Sequence, residues 1–294
     1  LGELWGMARA QASSSRRIRR VLVCLRRGKP GAVGVAMVLK SIFAQAGVQA
    51  RWVSESGLAG AKRDRIDAVV VGGGDGTMLH AAQATIGWGV PLLGINLGSL
   101  GFLTSVKAGE VGTVLPEILR GRYGVSSRTV LSVRLTGGRQ AWSALNEVSV
   151  GPQAGQLMVR VLVKVGGEVL SEYHADGLLV ASPTGSTAYS LSAGGPLVSP
   201  RARAMVLTPV CAHAMAQRPV VVGEQEGVEL SLSPGEPMAV VRVDGKKVGN
   251  LQRGGTLRVE VGRPVVRLIH PTGFGFYGLA RQKLGWSGAA GVER

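Results

Sequence analysis

The chain's 294 residues are 45% apolar, enough for a packed core, and its 45 glycines keep no three-residue period, which excludes both a disordered and a collagen-like chain. Its 34 Lys+Arg against 18 Asp+Glu give a charge of +16, but the one dense run is Arg16, Arg17, Arg19 and Arg20, followed by Arg26 and Arg27; without a stacking platform or DNA-binding motif this suits acidic small ligands better than nucleic acid. Cys24 and Cys211 form no CxxC pair, which excludes a zinc or disulfide framework and fits a reduced, cytoplasmic setting, and no apolar run reaches the roughly 20 residues of a spanning helix, so no membrane partner is expected. Residues 1–15 lack the basic-then-apolar order of a secretion signal and are left out of the fold reading.

In chain order, 18–25 (IRRVLVCL) reads as a buried strand broken by Gly28, Lys29 and Pro30. Residues 32–46 have helical spacing and stop at Gly47, a good helix terminator. Strands follow at 48–53 and 66–71, then a helix from about 77 to 86, then a strand at 90–95. Strands alternating with helices imply a parallel sheet wrapped by helices. After about residue 125 the pattern changes to short alternating runs at 130–135, 143–150, 158–165, 177–182, 219–223, 228–233, 239–245 and 256–261. Gly137-Gly138, Gly166-Gly167 and Gly254-Gly255 separate several of them. The expected fold class is therefore α/β, a parallel-sheet α/β domain over 16–125 followed by a β-rich, layered-sheet domain over 126–270. The segment 271–294, ending in a short helix, is expected to return to the first domain.

The most informative stretch is VVVGGGDGTMLH at 69–80. An apolar strand runs into Gly72, Gly73, Gly74, Asp75, Gly76 and Thr77 and then a helix, which is where open α/β sheets bind ligands. Missing side chains let amides approach a phosphate, and the helix N-terminus adds partial positive charge. Asp75 beside phosphates would be repulsive unless it holds a metal or takes a proton; its bland alternative is to cap the helix that follows. No P-loop pattern is present, and the spacing does not fit a G-x-G-x-x-G fingerprint.

GGDGT at 73–77 resembles the signature shared by NAD kinases, diacylglycerol-type lipid kinases and, more distantly, phosphofructokinases. GINLGSLGFLT at 94–104, LNE at 145–147, HADGLLVASPTGSTAYS at 174–190 and LTPVCAHAMAQRP at 207–219 resemble the NAD kinase segments in the same order. The resemblance runs from about 21 to 286. It implies an enzyme that moves the terminal phosphoryl group of ATP, or of polyphosphate, onto the adenosine-ribose 2′-hydroxyl of NAD. It also implies Mg²⁺ or another divalent cation, a homodimer or homotetramer, and Asp75 as proton acceptor. The alternatives are a lipid kinase of the same superfamily and a non-catalytic NAD(P)-binding module.

The nucleotide-binding residues implied are Gly73, Gly74, Asp75, Gly76, Thr77 and Phe102 in the first half, with Asn146 and Glu147 after them. Asn146 and Glu147 place an amide and a carboxylate side by side for ribose or adenine edges, although strand neighbours face opposite ways unless a strand end re-aims one. By resemblance Asp176 contacts the nicotinamide side of NAD; its bland role is a turn with Gly177. Thr187, Ala188, Tyr189, Ser190, Leu191 and Ser192 line the dinucleotide site by resemblance, with Tyr189 suited either to stack on a base or to pack. Cys211 belongs to the last signature. The chain departs from the family pattern at Ser182, where Thr is usual, and at Ala212-His213, where Pro-His is usual. It departs also at His174, often a stronger base, and at Lys246, often Gln, in DGK. Glu, Asp and His supply no predicted metal-ligand set.

Overall fold

The computed structural model describes residues 13–14, 16–61, 65–99, 101–138 and 140–286; Leu100 of the GINLGSLGFLT segment and residues 1–12 lie outside the described residues. The chain divides into two compact units, Leu1–Ser127 with Arg267–Arg294, and Arg128–Val266.

In the first unit β1 (Ser13–Ser14) precedes β2 (Arg20–Leu25), α1 (Ala32–Gln45), β3 (Gln49–Val53), β4 (Ala68–Gly73), α2 (Asp75–Thr85), β5 (Leu92–Asn96), β6 (Val106–Lys107) and α3 (Val111–Leu119). Strands β3, β2, β4 and β5 lie side by side in that order, all parallel. Every residue of the β4 run AVVVGG is buried, as an apolar strand covered on both faces should be. Helix α1 buries Val35, Leu39, Ile42 and Phe43, one face at helical spacing, against Val21, Val23, Val70 and Ile95. It stops where Gly47 takes a positive φ of 63°. This arrangement lines up the C-terminal ends of β2, β4 and β5, and with them the loops that follow.

In the second unit β7 (Tyr123–Leu135), β8 (Ala141–Ala144), β9 (Glu147–Gly151), β10 (Val159–Val165), β11 (Glu168–Ala175), β12 (Gly177–Ala181), β13 (Ala204–Val210), β14 (Val220–Gly223), β15 (Val228–Leu232), β16 (Met238–Val243), β17 (Lys246–Gln252) and β18 (Thr256–His270) pair antiparallel. One layer runs β14-β13-β12-β9-β16-β17; the other carries β11-β10-β15-β18 with β7 and β8. Alternate residues such as Val159, Val161 and Val163 on β10 and Leu178 and Val180 on β12 enter one core. From Arg267 onward β18 belongs to the first unit, where Leu268 pairs with Leu92 of β5, and α5 (Phe276–Lys283) follows.

The α/β class with a parallel first part and a layered β-rich second part is what the sequence pattern implies. Two readings change. The run 143–150 is not one strand: it breaks at Leu145 and Asn146 between β8 and β9. Residues 256–261 are only the start of a strand that continues to His270. Elements α3, β11, β13 and β17 have no counterpart in the sequence reading. Among the described residues no helix is long and apolar enough to cross a membrane.

Candidate active site

The glycine turn is built for close approach. A Cβ on Gly72 would meet Leu25 Cδ2 at 2.4 Å, and one on Gly73 would meet Thr77 Oγ1 at 2.4 Å, so these two glycines serve packing. Gly74 and Gly76 have nothing within 4 Å of a Cβ position, so the turn is open on that side. The first amides of α2 lack partners within the helix, as at any helix start. Thr77 is 2% exposed and its hydroxyl has no hydrogen-bond partner.

Asp75 does not cap its helix. The N-cap is Gly74, with no side-chain cap bond. Instead the Phe102 and Leu103 N–H groups donate to Asp75 Oδ2 and Oδ1 at 2.7 and 3.0 Å. Gly101 allows this approach, since a Cβ there would lie 1.8 Å from Asp75 Oδ1. Each carboxylate oxygen keeps a second acceptor direction for a hydroxyl. The loop itself is held by Asn96, whose Nδ2 donates to Ser99 O and Thr104 Oγ1 at 2.7 and 3.1 Å and whose Oδ1 accepts the Gly98 N–H at 2.7 Å. The Phe102 ring lies 6.2 Å from that of Phe276 and 5.3 Å from Lys283 Nζ, so α5 packs on the loop that Asp75 fixes. The first-half candidates Gly73 to Thr77 and Phe102 thus sit together.

In the second unit the key is a residue that the sequence reading passes over. Asp244 accepts the N–H groups of Leu145, Asn146 and Glu147 at 2.8, 2.8 and 3.0 Å. It occupies the hairpin between β16 and β17 with φ 46°, followed by Gly245 at 78°. Asn146 thus lies in the break between β8 and β9 and Glu147 at the start of β9, their backbone N–H groups sharing one acceptor. The Asp-Gly turn is the sequence signal for it; Lys246, the candidate implied at that turn, is exposed on β17 one residue beyond it. Burial and then the Asp244 charge push the Glu147 carboxyl up to about 7, and its Oε2 is buried without a partner. A carboxyl raised in the folded state loses stability as pH climbs from 4.5 to about 7, because ionising it costs more than in the unfolded chain. Comparison of wild type with Glu147→Gln by urea denaturation should therefore show the wild type falling behind across that interval, by on the order of 2–3 kcal/mol at most. Parallel curves would reject the assignment.

Ser182 joins this strand end to the next turn. Its hydroxyl donates to Leu145 O and accepts the Gly185 N–H at 3.1 Å, and its N–H donates to Asn146 O at 2.8 Å. The Thr-to-Ser departure thus keeps the hydroxyl in use. Gly185 presses on the same backbone: a Cβ there would lie 2.0 Å from Asn146 O. Gly185→Ala should cost about 2–3 kcal/mol in chemical denaturation; an unchanged midpoint would contradict this packing.

The hydroxyl-rich turn uses most of its hydroxyls internally. Ser186 Oγ donates to Pro183 O at 2.7 Å, and Thr187 Oγ1 donates to Thr184 O at 2.9 Å. Ser190 is fully buried, its hydroxyl 2.9 Å from Thr208 Oγ1, so it holds the turn. Thr184 keeps a buried hydroxyl without a partner. Of the short helix α4 (Tyr189–Ser192) and its flank, Tyr189 (50% exposed) and Ser192 are open, while Thr187, Ala188 and Leu191 are half-buried. Tyr189 therefore does not serve core packing.

A third cluster gathers where β11 ends. His174, Asp176 and Cys211 are all exposed there, and the Asp176 N–H donates to Val210 O at 3.0 Å. His174 stacks on His213, ring centroids 5.5 Å apart, and the His213 N–H donates to His174 O at 2.8 Å. His213 is thus a member of the cluster that is not among the site residues implied by the sequence, where the departure from Pro-His lies at Ala212. Among the described residues no three His, Cys, Asp or Glu side chains gather into a metal-binding group.

A glycine turn ending in an anchored aspartate, with an antiparallel unit bearing a polar strand end and a tight hydroxyl-bonded turn, defines the class of GGDGT-bearing kinases. The chain matches the family model for the ATP-NAD kinase N-terminal domain over residues 39–123 and that for the ATP-NAD kinase C-terminal domain over residues 145–271. It is 36% identical over 282 residues to the NAD kinase of Wolinella succinogenes, covering 92% of this chain and 97% of that one. To the NAD kinase of Heliobacterium modesticaldum it is 41% identical over 228 residues, covering 76% and 81%. The chain belongs to the NAD kinase family, and matches in both halves disfavour a lipid kinase. Its fold is shared by a yeast NADH kinase complexed with NADH (TM-score 0.79, 22% identity, 95% and 91% covered). It is shared also by an NAD kinase from Archaeoglobus fulgidus in complex with ATP (TM-score 0.72, 24% identity, 89% and 97% covered).

Proposed function

We propose that the protein phosphorylates the adenosine-ribose 2′-hydroxyl of NAD to give NADP, with Asp75 receiving the hydroxyl proton. The observation that carries this reading is the Asp75 carboxylate itself: it is freed from capping, fixed by two loop amides, and set beside the open face of Gly74 and Gly76. A group that only shaped the loop would not need the glycine turn open beside it. In the transfer, the 2′-oxygen forms a bond to the terminal phosphorus of the donor as the bond to the leaving phosphate oxygen breaks. The proton goes to Asp75 and the shortened donor departs. Such a base contributes roughly 10²–10⁴-fold; positioning and charge neutralisation by the turn amides supply more.

The second unit reads the acceptor. Asn146 and Glu147, held through Asp244, meet sugar or base edges. At neutral pH Glu147 is partly protonated and can donate as well as accept. Tyr189, Asp176, His174, Cys211 and Lys246 offer exposed contacts.

The described residues do not form a cage for a resident divalent cation. Mg²⁺ needs few protein ligands when phosphates supply the rest, so the cation implied by the family would arrive on the donor, and no step above depends on a protein-held ion. Homo-oligomerisation rests on family likeness alone and is read by size-exclusion with light scattering.

The test is incubation with NAD, Mg²⁺ and either ATP or inorganic polyphosphate, with NADP followed by coupled reduction. NADP formation with at least one donor is expected; none with both would overturn the proposal. NADH in place of NAD defines the acceptor range.

A further inference from the structure

The loop between β2 and α1 carries Arg26, Arg27 and Lys29, and no role above uses them. All three are exposed, and among the described residues none forms an ion pair. No Asp or Glu occurs from Arg16 to Ser54. The Arg26 N–H donates to Gly72 O at 2.8 Å, which sets the loop directly beside the glycine turn. Lys29 Nζ lies 3.6 Å from the Cβ position of Gly98, over the loop that follows β5. The basic loop therefore borders both segments that surround Asp75, at the C-terminal ends of adjacent parallel strands, where α/β sheets bind anions. Gly31 begins α1 without a side-chain cap, and the first turn of α1 has no acid. The buried, unpartnered Thr77 hydroxyl next to Gly73 is a separate sign that the neighbouring turn lacks a hydrogen-bond partner.

We infer that Arg26, Arg27 and Lys29 form a seat for the polyphosphate tail of the phosphoryl donor, whether a nucleoside triphosphate or inorganic polyphosphate. The inference rests on the kinase reading, which makes the glycine turn the place of phosphoryl transfer. Three free cations on one loop match a tri-anionic or longer chain, and none of them belongs to an aromatic surface that would hold a nucleic acid. The loop bonds to Gly72 and reaches Gly98, so it adds side-chain charge beside the backbone amides of the turn.

Calorimetric titration with tripolyphosphate, without NAD, tests the seat apart from turnover. The wild-type protein should bind it with an affinity that falls with salt. Lys29→Gln should weaken binding roughly tenfold, the loss of one charge-assisted hydrogen bond, and the triple Gln variant should abolish it. The KM for ATP, for polyphosphate or for both should rise in parallel while that for NAD stays level, and the arm that rises identifies the source of the chain. Equal tripolyphosphate affinity and donor KM in wild type and triple variant, or no binding by the wild type, would overturn the inference. A wild type that binds tripolyphosphate but makes no NADP would instead count against the function and leave the seat standing. The positions are exposed, so an unchanged melting curve shows that the variants fold.

Discussion

Asp75→Asn lowers kcat by about 10²–10⁴ and leaves the KM for NAD little changed. The asparagine keeps the size of the side chain but cannot take the proton. It also presents an amide nitrogen to either the Phe102 or the Leu103 N–H, so one of the two loop bonds is lost. Gly101→Ala separates these effects. Its Cβ would enter within 2.5 Å of three carboxylate atoms, displacing Asp75 without changing its chemistry. If Asp75 is the proton acceptor, Gly101→Ala loses activity through misplacement alone, yet less than Asp75→Asn. Steady-state kinetics on both variants decide; full activity in Asp75→Asn removes Asp75 from the base role.

Asp244→Ala strikes both stability and acceptor binding. Three backbone N–H groups lose their acceptor at once, each at about 1–3 kcal/mol where water does not replace it. Alanine is also poorly suited to the positive φ of 46°. The expected result is a loss of roughly 3–5 kcal/mol in urea denaturation and a KM for NAD raised tenfold or more, because Asn146 and Glu147 lose their common anchor. Asp244→Asn, which tolerates the backbone conformation and keeps one acceptor oxygen, should fall between. An Asp244→Ala protein with wild-type stability and NAD KM would show that the strand end holds itself.

Much of this was legible because period and punctuation agree. The β4 run ends at three glycines and α1 at Gly47, so the parallel part could be read from burial pattern and helix termination. The spacing of Val111, Leu115, Ile118 and Leu119 in α3 was equally regular, but Pro116 and three glycines nearby masked it. Strand β17, KKVGNLQ, has no apolar alternation, since six of its residues are exposed or half-buried beside one buried leucine, Leu251. Tertiary pairing rather than local pattern makes it a strand.

At the site, the motif residues could be found from the chain, but not what they touch. GGDGT marks Asp75; that its oxygens bind amides 27 and 28 residues later is a long-range fact. Asp244 is nearly a hundred residues from the strand end it secures, and as half of an Asp-Gly turn it looks like ordinary hairpin chemistry. Composition shows that 182–190 is rich in hydroxyls but not that a loop this tightly turned needs them for its own carbonyls and amides.

The most direct test of the central claim is phosphorus NMR on the product of NAD, ATP and Mg²⁺ with the purified protein. A phosphomonoester on the adenosine 2′-oxygen, formed by the wild type and nearly absent with Asp75→Asn, is the predicted result. No phosphomonoester on NAD from the wild type with either ATP or polyphosphate, or a phosphate at a different hydroxyl, would contradict it.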